Sequence, residues 1–330
     1  MTNRLCDTLN IDRPIILAPM GGAVGPKMVG IVSNEGGLGT IPLWRSTPDQ
    51  IRAAVADIRD RTDKPFAVNL NVGFPHEDQI DACLSVDVPI ISLFWGMSEA
   101  AIARVKAGGA KAMVTVCNAA EARQAIDAGA DVLVAQGWEA GGHVWGVVAS
   151  MALIPAVVDV AGDVPVVAAG GISDGRAMAA AMALGASGVW VGTRFLAAEE
   201  LDIHEVYRQR ILEAGEDDSF YSANLFDHGW ENAPHRALKN SVYAQWMAEG
   251  RPEPGSRSLE GSVIGQNSQN RDVLRYQSHT PSSGDTGEIE AMSMWAGQGV
   301  AQVREVMPAA KIMDELEAGA AQVIQSLRLR

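Results

Sequence analysis

Short apolar, β-branched runs alternate with longer amphipathic stretches from the amino terminus to about residue 195. Short continuous or alternating apolar runs mark strands, and apolar residues at three- and four-residue spacing mark helices. Eight runs read as strands: Ile15–Ala18, Gly37–Ile41, Phe66–Val72, Ile90–Phe94, Ala112–Val116, Val132–Ala135, Val164–Ala168 and Gly188–Val191. Between them, "TPDQIRAAVADIRDRT", "SEAAIARVKAGG", "NAAEARQAIDAGA" and "SDGRAMAAAMALGA" have the helical spacing. Eight strands with intervening helices predict an α/β fold, a closed (β/α)8 TIM barrel rather than an open doubly wound sheet. One outer helix has still to be supplied.

Beyond Phe195 the rhythm breaks. "AAEELDIHEVYRQRILEAGEDDSFYS" reads as a polar helix, and "ANLFDHGWENAPHRALKNSVYAQWMAEGRPEPGSRS" is rich in turn residues and aromatics. The chain therefore divides into a barrel over residues 1–204, a mainly helical insertion or lid over 205–290, and a carboxyl-terminal segment over 291–330. Within the insertion "QNSQNRDVLRYQSHTPSSGDTGE" reads as a polar loop, and the amphipathic end of the chain is expected to return as the helix that completes the barrel.

Composition narrows the function. With 330 residues, 47% hydrophobic and 20% charged, the chain can bury a large core. A formal charge of −14 excludes the usual nucleic-acid binder, because phosphate backbones are met by clustered Lys and Arg. An anionic ligand must then be held by local geometry, such as backbone N–H groups at a helix start. Cys6, Cys83 and Cys117 form no C-x-x-C pair, so neither a disulfide framework nor a metal site is expected, and a reducing cytoplasm fits. The amino terminus lacks the apolar core of a signal peptide and no run of about 18 apolar residues occurs, so a soluble protein with no membrane association is expected. A homodimer is left open.

Barrels bind ligands beyond the carboxyl ends of their strands. The seventh and eighth strand ends form a pair: Gly170-Gly171 leads toward a helix starting near Asp174, and Gly192-Thr193 follows the next strand, so backbone amides and a hydroxyl can converge on one phosphate. At the other strand ends Ala18, Pro19, Met20 and Gly21 can lie beside a planar ring, while Asn69, Asn71 and Gln136 offer amide donors and acceptors. This set suits flavin mononucleotide (FMN), whose ring needs hydrogen bonds at its polar edge and apolar contact on its face. In "AQGWEAGGHVWG", Gly141 and Gly142 let His143 approach such a ring closely, and an imidazole can manage a proton near neutrality. Glu139 is expected to brace this loop by accepting backbone hydrogen bonds. Trp230, His235 and Arg236 are expected to cap the barrel; His204, His228 and His279 read as structural or surface residues, and His76 is held in reserve near the rim.

The combination "PIILAPMGG", "AVNLNV", "AQGWEAGGH", "AAGGISDGR" and "GASGVWVGTRFL" resembles the nitronate monooxygenase family of FMN-bound TIM barrels, over residues 11–200 and again at "WAGQGVAQV". The resemblance implies His143, closing Gly141-Gly142-His143, as the catalytic histidine. It sets Pro19-Met20-Gly21 against the flavin ring, Gly171, Gly192 and Thr193 at the phosphate, and Asn69 or Asn71 with Gln136 at the flavin's polar groups. Two departures stand out. Where some relatives place Lys or His after the fifth strand, this chain has Thr115, Val116 and Cys117, and its four tyrosines do not map onto a tyrosine-lined substrate pocket. The implied activity is oxidation of an alkyl nitronate by O2, an FMN-dependent monooxygenase reaction; the same barrel also resembles NAD(P)H:quinone reductases and flavin-dependent enoyl-thioester reductases.

Overall fold

The computed structural model describes residues 3–328. After a short helix α1 (Arg4–Leu9), the chain runs through β1 (Ile15–Leu17), β2 (Gly39–Pro42), β3 (Phe66–Asn71), β4 (Ile90–Phe94), β5 (Lys111–Val116) and β6 (Val132–Gln136). A two-residue strand β7 (Gly142–His143) precedes β8 (Val166–Ala169) and β9 (Gly188–Val191). All but β7 join one parallel sheet in the order β1-β9-β8-β6-β5-β4-β3-β2. The ring closes where Ile16 bridges Leu38, with Leu17 N–H donating to Leu38 O at 2.9 Å and Leu38 N–H to Ile15 O at 3.0 Å. The eight expected strands are therefore the barrel.

Outer helices follow the strands: α2 (Pro26–Asn34), α3 (Pro48–Arg59), α4 (Glu77–Ser85), α5 (Glu99–Ala107), α6 (Ala119–Asp127), α7 (Ser150–Ala161) and α8 (Gly175–Ala183). Their starts are chemically set. Thr47 and Gln50 form a reciprocal capping box, and the side chains of Ser98, Asn118 and Asp174 each accept an orphan first-turn amide.

Side-chain alternation sorts the barrel into two apolar layers. Ile16, Leu38, Ala67, Ile90, Met113, Val132 and Val167 fill the interior, plugged at the amino-terminal end by Leu5 and Leu9 of α1. Their neighbours one residue along, such as Leu17, Val68, Ile91 and Val114, face the helices. The next inward positions toward the carboxyl end are Ala18, Asn69, Thr115, Gln136 and Gly192, which line a cavity rather than the core.

Beyond β9 the segment expected to be mainly helical is mixed. It holds α9 (Glu205–Glu213), β10 (Ser219–Ser222), β11 (His235–Leu238), α10 (Ser241–Ala248), β12 (Val263–Gln266), β13 (Asp272–Leu274) and β14 (Thr286–Gly287). These strands have two to four residues, too short for period 2 to show in the sequence. They form two antiparallel sheets, β10-β11-β7 and β13-β12-β14. The first attaches the insertion to the barrel, because β11 pairs with β7 in the register His235↔His143 and Arg236↔Gly142.

The chain then returns as α11 (Ala309–Arg328), which packs against α8 and α2 and supplies the eighth outer helix. Close approach is possible because glycines face each other: a Cβ on Gly175 would lie 2.5 Å from the Gly319 backbone.

Candidate active site

A cavity of about 400 Å³ opens at the carboxyl ends of the strands, a size within the range of small-molecule sites. Ala18, Pro19, Met20, Gly21, Asn69, Gln136, Gly141, Gly142, His143, Gly170, Gly171, Gly192 and Thr193 all line it. Asn71 does not. Its buried side chain turns to the backbone instead, with Oδ1 accepting from Gly73 N–H at 2.8 Å.

Three loops meet at glycines on one side of the cavity. A Cβ on Gly141 would lie 2.4 Å from Gly297 N, and one on Gly299 would lie 3.0 Å from Gly171 O. Gly170 and Gly171 have φ of +100° and +72°, a region costly for residues with a Cβ. Thr193 Oγ1 accepts from Gly297 N–H at 3.0 Å, which leaves its hydroxyl proton free to donate. Glu139 braces the arrangement as expected, accepting from Ser150 N–H at 2.9 Å and Ser150 Oγ–H at 3.1 Å. Gly297 and Gly299 were not singled out as site residues; the G-x-G inside "WAGQGVAQV" was their only trace in the sequence.

His143 is held from both sides. Gln136 donates from Nε2 to His143 O at 3.1 Å and accepts from Trp145 N–H at 3.0 Å, so its amide bridges the loop. The indole of Trp230 stacks on the imidazole at 3.9 Å, with Trp95 and Trp295 further round it. The ring is half-buried, but Nε2 is shielded from solvent and has no partner among the described residues. Burial, then the neighbouring His235 and Arg45, push the His143 pKa well below 6.5, so the imidazole is neutral at neutral pH. His235 is fully buried as one tautomer, with Nδ1 at 2.9 Å from Ala233 O and Nε2 accepting from Phe226 N–H.

A family model for nitronate monooxygenase matches residues 2–77 and 70–319. The chain belongs to the nitronate monooxygenase family. A probable nitronate monooxygenase from Bacillus subtilis is 30% identical over 360 residues, covering 95% of this chain and 98% of the relative. A (3aS,4S,5R,7aS)-5-hydroxy-7a-methyl-1-oxo-octahydro-1H-indene-4-carboxyl-CoA dehydrogenase from Mycobacterium tuberculosis is 35% identical over 241 residues. That match covers 72% of this chain and 66% of the dehydrogenase, just under two thirds of its length. Among solved structures, FabK from Thermotoga maritima superposes with a TM-score of 0.82 at 30% identity, covering 99% of each chain.

The nitronate monooxygenase family is one of flavin-dependent oxidoreductases. The departures after the fifth strand take concrete form here. Thr115 lines the cavity, whereas the Cys117 thiol is pushed up to about 12 by burial and by Glu121, to which Sγ donates at 3.2 Å, so no thiolate forms. Of the residues expected to cap the barrel, Arg236 does so, donating to Trp138 O at 3.0 Å and lying over the Trp138 ring. Trp230 enters the cavity instead. Its loop is rooted by the buried pair Asp227–Arg257 at 2.7 Å. His204 caps α9, while His279, expected to be structural or at the surface, lines the cavity with Trp44 and Arg45. These three were missed because the folded chain brings them in from segments with no motif. No helix among the described residues is long and apolar enough to cross a membrane.

Proposed function

We propose that the chain binds FMN in this cavity and oxidises alkyl nitronates with O2. The observation that carries the reading is the charge of the lining. In a chain of net charge −14, no carboxylate lines the cavity among the described residues; its titratable side chains are Arg45, His143, Tyr207 and His279. Tyr207 is spent on a hydrogen bond to Trp295 O, and burial pushes its hydroxyl far up. Such a lining accepts an anion and rejects none of its charge, which suits both a phosphate and a nitronate.

The residues fit the cofactor. Gly170, Gly171, Gly192 and Thr193 supply backbone N–H groups and a free hydroxyl for the phosphate; a Cβ on Gly170 would lie 3.0 Å from Ala140 N and Gly137 O, and Gly170 and Gly171 both hold a positive φ. Ala18, Pro19, Met20 and Gly21 would lie along the ring, with Asn69 and Gln136 near its polar edge. Bound there, the flavin would take electrons from the substrate and pass them to O2. Neutral His143 holds the substrate anion by donating a hydrogen bond, and the Trp230 indole fixes the plane of that imidazole and keeps water from it.

A second reading is reduction of an unsaturated thioester or a quinone at the expense of NAD(P)H; the FabK neighbour supports its thioester form. One experiment separates the two. Purified protein is mixed anaerobically with propionate-3-nitronate, NADH or NADPH, and the flavin absorbance is followed. Bleaching by the nitronate supports the first reading, and bleaching by a nicotinamide alone overturns it. Chromatography of the released cofactor should give FMN, and FAD alone would refute the assigned phosphate site.

A further inference from the structure

Three consecutive strand ends of the barrel each put one aromatic ring on the same side of the cavity. Trp44 follows β2, Phe74 follows β3 and Trp95 follows β4, and Trp230 of the insertion packs on all of them. The Trp230 ring lies 4.8 Å from Trp44, 4.8 Å from Trp95 and 5.5 Å from Phe74, the spacing of packed aromatic pairs. The backbone is bent to allow this. Trp95 holds φ of +73°, a conformation costly for a residue with a Cβ, and a Cβ on Gly73 would lie 2.8 Å from Trp95 Cδ1. None of the four rings belongs to either apolar layer of the barrel, and Trp44, Phe74 and Trp95 are each partly exposed.

What the rings enclose is a second hollow, more open to solvent than the cavity and lined by Gly73, Phe74, Trp95, Gly229, Trp230 and Glu231. Trp230 lines both spaces. It stacks on His143 at 3.9 Å and meets Phe74 and Trp95 edge-on, so a partition one ring thick separates His143 from the hollow.

That partition is held by packing alone. Trp145 Nε1 donates to Glu121 at 3.0 Å and Trp295 Nε1 to Thr280 Oγ1 at 3.0 Å, whereas Trp230 Nε1 has no hydrogen-bond partner among the described residues. Its turn runs from Gly229 at φ +90° to Asn232 at φ +51°, with Glu231 and Asn232 exposed, while Asp227 at its root is fixed by Arg257. The indole can therefore turn while its root stays. Charge decides what the hollow takes. Glu231, exposed at its edge, is its one charged side chain among the described residues and disfavours an anion; Arg45 holds a positive charge against the same turn, donating to Gly229 O at 3.1 Å and lying over the Trp44 ring, and disfavours a cation.

We propose that this hollow is a substrate subsite, which takes an uncharged aromatic substituent on the nitronate carbon, and that Trp230 is the partition that turns to admit it. The inference rests on the nitronate reading of the neighbouring cavity and names the class of nitronate. The anionic head beside His143 supplies the charge and the substituent supplies the apolar surface, so a nitronate with a flexible aryl tail is bound at both ends.

The test measures anaerobic flavin reduction by ethyl nitronate and 2-phenylethyl nitronate, normalised to bound FMN. Alongside it, flavin difference spectra follow titration with propanoate and 3-phenylpropanoate, the unreactive carboxylate counterparts. Wild type should favour the phenyl compound of each pair by about tenfold or more, in kcat/KM and in Kd, the scale of burying a phenyl ring. Phe74→Ala should cut that preference about fivefold, and through KM, since a contact remote from the reacting atoms binds substrate and transition state alike. Trp230→Phe thins the partition while keeping a ring on His143, and should raise the preference about twofold. A carboxylate on the phenyl ring should abolish it. A wild type without the preference, a Phe74→Ala that lowers kcat equally on both nitronates, two variants that shift the preference in the same direction, or a carboxylated ring accepted as well as the plain one would each overturn the subsite and leave the nitronate reading standing. A wild type that neither nitronate bleaches would refute the nitronate reading itself, and the proposal with it.

Discussion

Lowering the pH from 7 to 5 should destabilise this protein through His143 and His235, the two histidines paired across β7 and β11. Burial depresses the His235 pKa from 6.5 to about 4, against a smaller opposing bond to Ala233 O. In the unfolded chain the same ring titrates near 6.5. Between those values the unfolded state binds the extra proton, so stability is full above pH 6.5 and falls as pH drops toward 4. One pKa unit is about 1.36 kcal/mol, so His235 alone should cost about 2 kcal/mol between pH 7 and 5 and about 3 kcal/mol by pH 4. His143, shifted in the same direction, adds to the loss in that window. The depressed carboxyls, such as Asp285 and Glu260, cannot mimic this, because their contribution is present above about 4 and lost only below it. The raised thiols Cys6, Cys83 and Cys117 act only above 9. Urea unfolding at half-unit pH steps for wild type and His235→Gln measures the effect as a difference in slope, which cancels the constant cost of the substitution. A wild-type midpoint that is flat from pH 7 to 5, or a variant with the same slope as wild type, would refute the assignment.

His143→Asn should lower the anaerobic rate of flavin reduction by ethyl nitronate by 10²- to 10⁴-fold while FMN content stays within about a fifth of wild type, since the phosphate cradle lies on other loops; stopped-flow absorbance normalised to extracted FMN checks it. The two glycines before it should behave unequally. Gly141→Ala puts a Cβ 2.4 Å from Gly297 N and 2.6 Å from Ala296 C, so the loop must move at a cost of about 1–3 kcal/mol and FMN occupancy should fall. Gly142→Ala meets nothing within 4 Å and should pay only for its φ of +71°, about 1–2 kcal/mol, with FMN retained; thermal melts and flavin content of the two variants decide.

How much of this was legible in the sequence follows from the range over which each signal acts. Barrel strands bury both faces, so runs such as Phe66–Asn71 and Val132–Gln136 are apolar along most of their length and can be read locally. The turns proposed to hold the phosphate were legible for the same reason: Gly170-Gly171 and Gly192-Thr193 sit where a strand stops and a turn must begin, and at Gly170 and Gly171 the need for φ above zero shows in the residue type. Asn69 and Asn71 are spaced for the same face, and nothing local says that Asn71 folds back on Gly73 N–H while Asn69 reaches Ser92 Oγ. The insertion was the least legible part, since its strands of two to four residues owe their existence to partners far away in the chain.

That distance also explains which site residues stayed hidden. Trp44, Trp230 and His279 carry no motif, and each acquires its meaning from a neighbour placed by the barrel: Trp230 from His143 at 3.9 Å, Trp44 from Trp230 at 4.8 Å, His279 from Asp285 within its own loop but only because Thr280 pins that loop to Gly21. The groups proposed to hold the cofactor therefore lie on the strand ends, where the β/α repeat dictates them. Groups that would choose the substrate lie on the insertion and on the loop after β2, where it does not. A barrel of this family can keep its cradle and change its chemistry by rewriting segments whose sequence, read alone, looks like turns and surface.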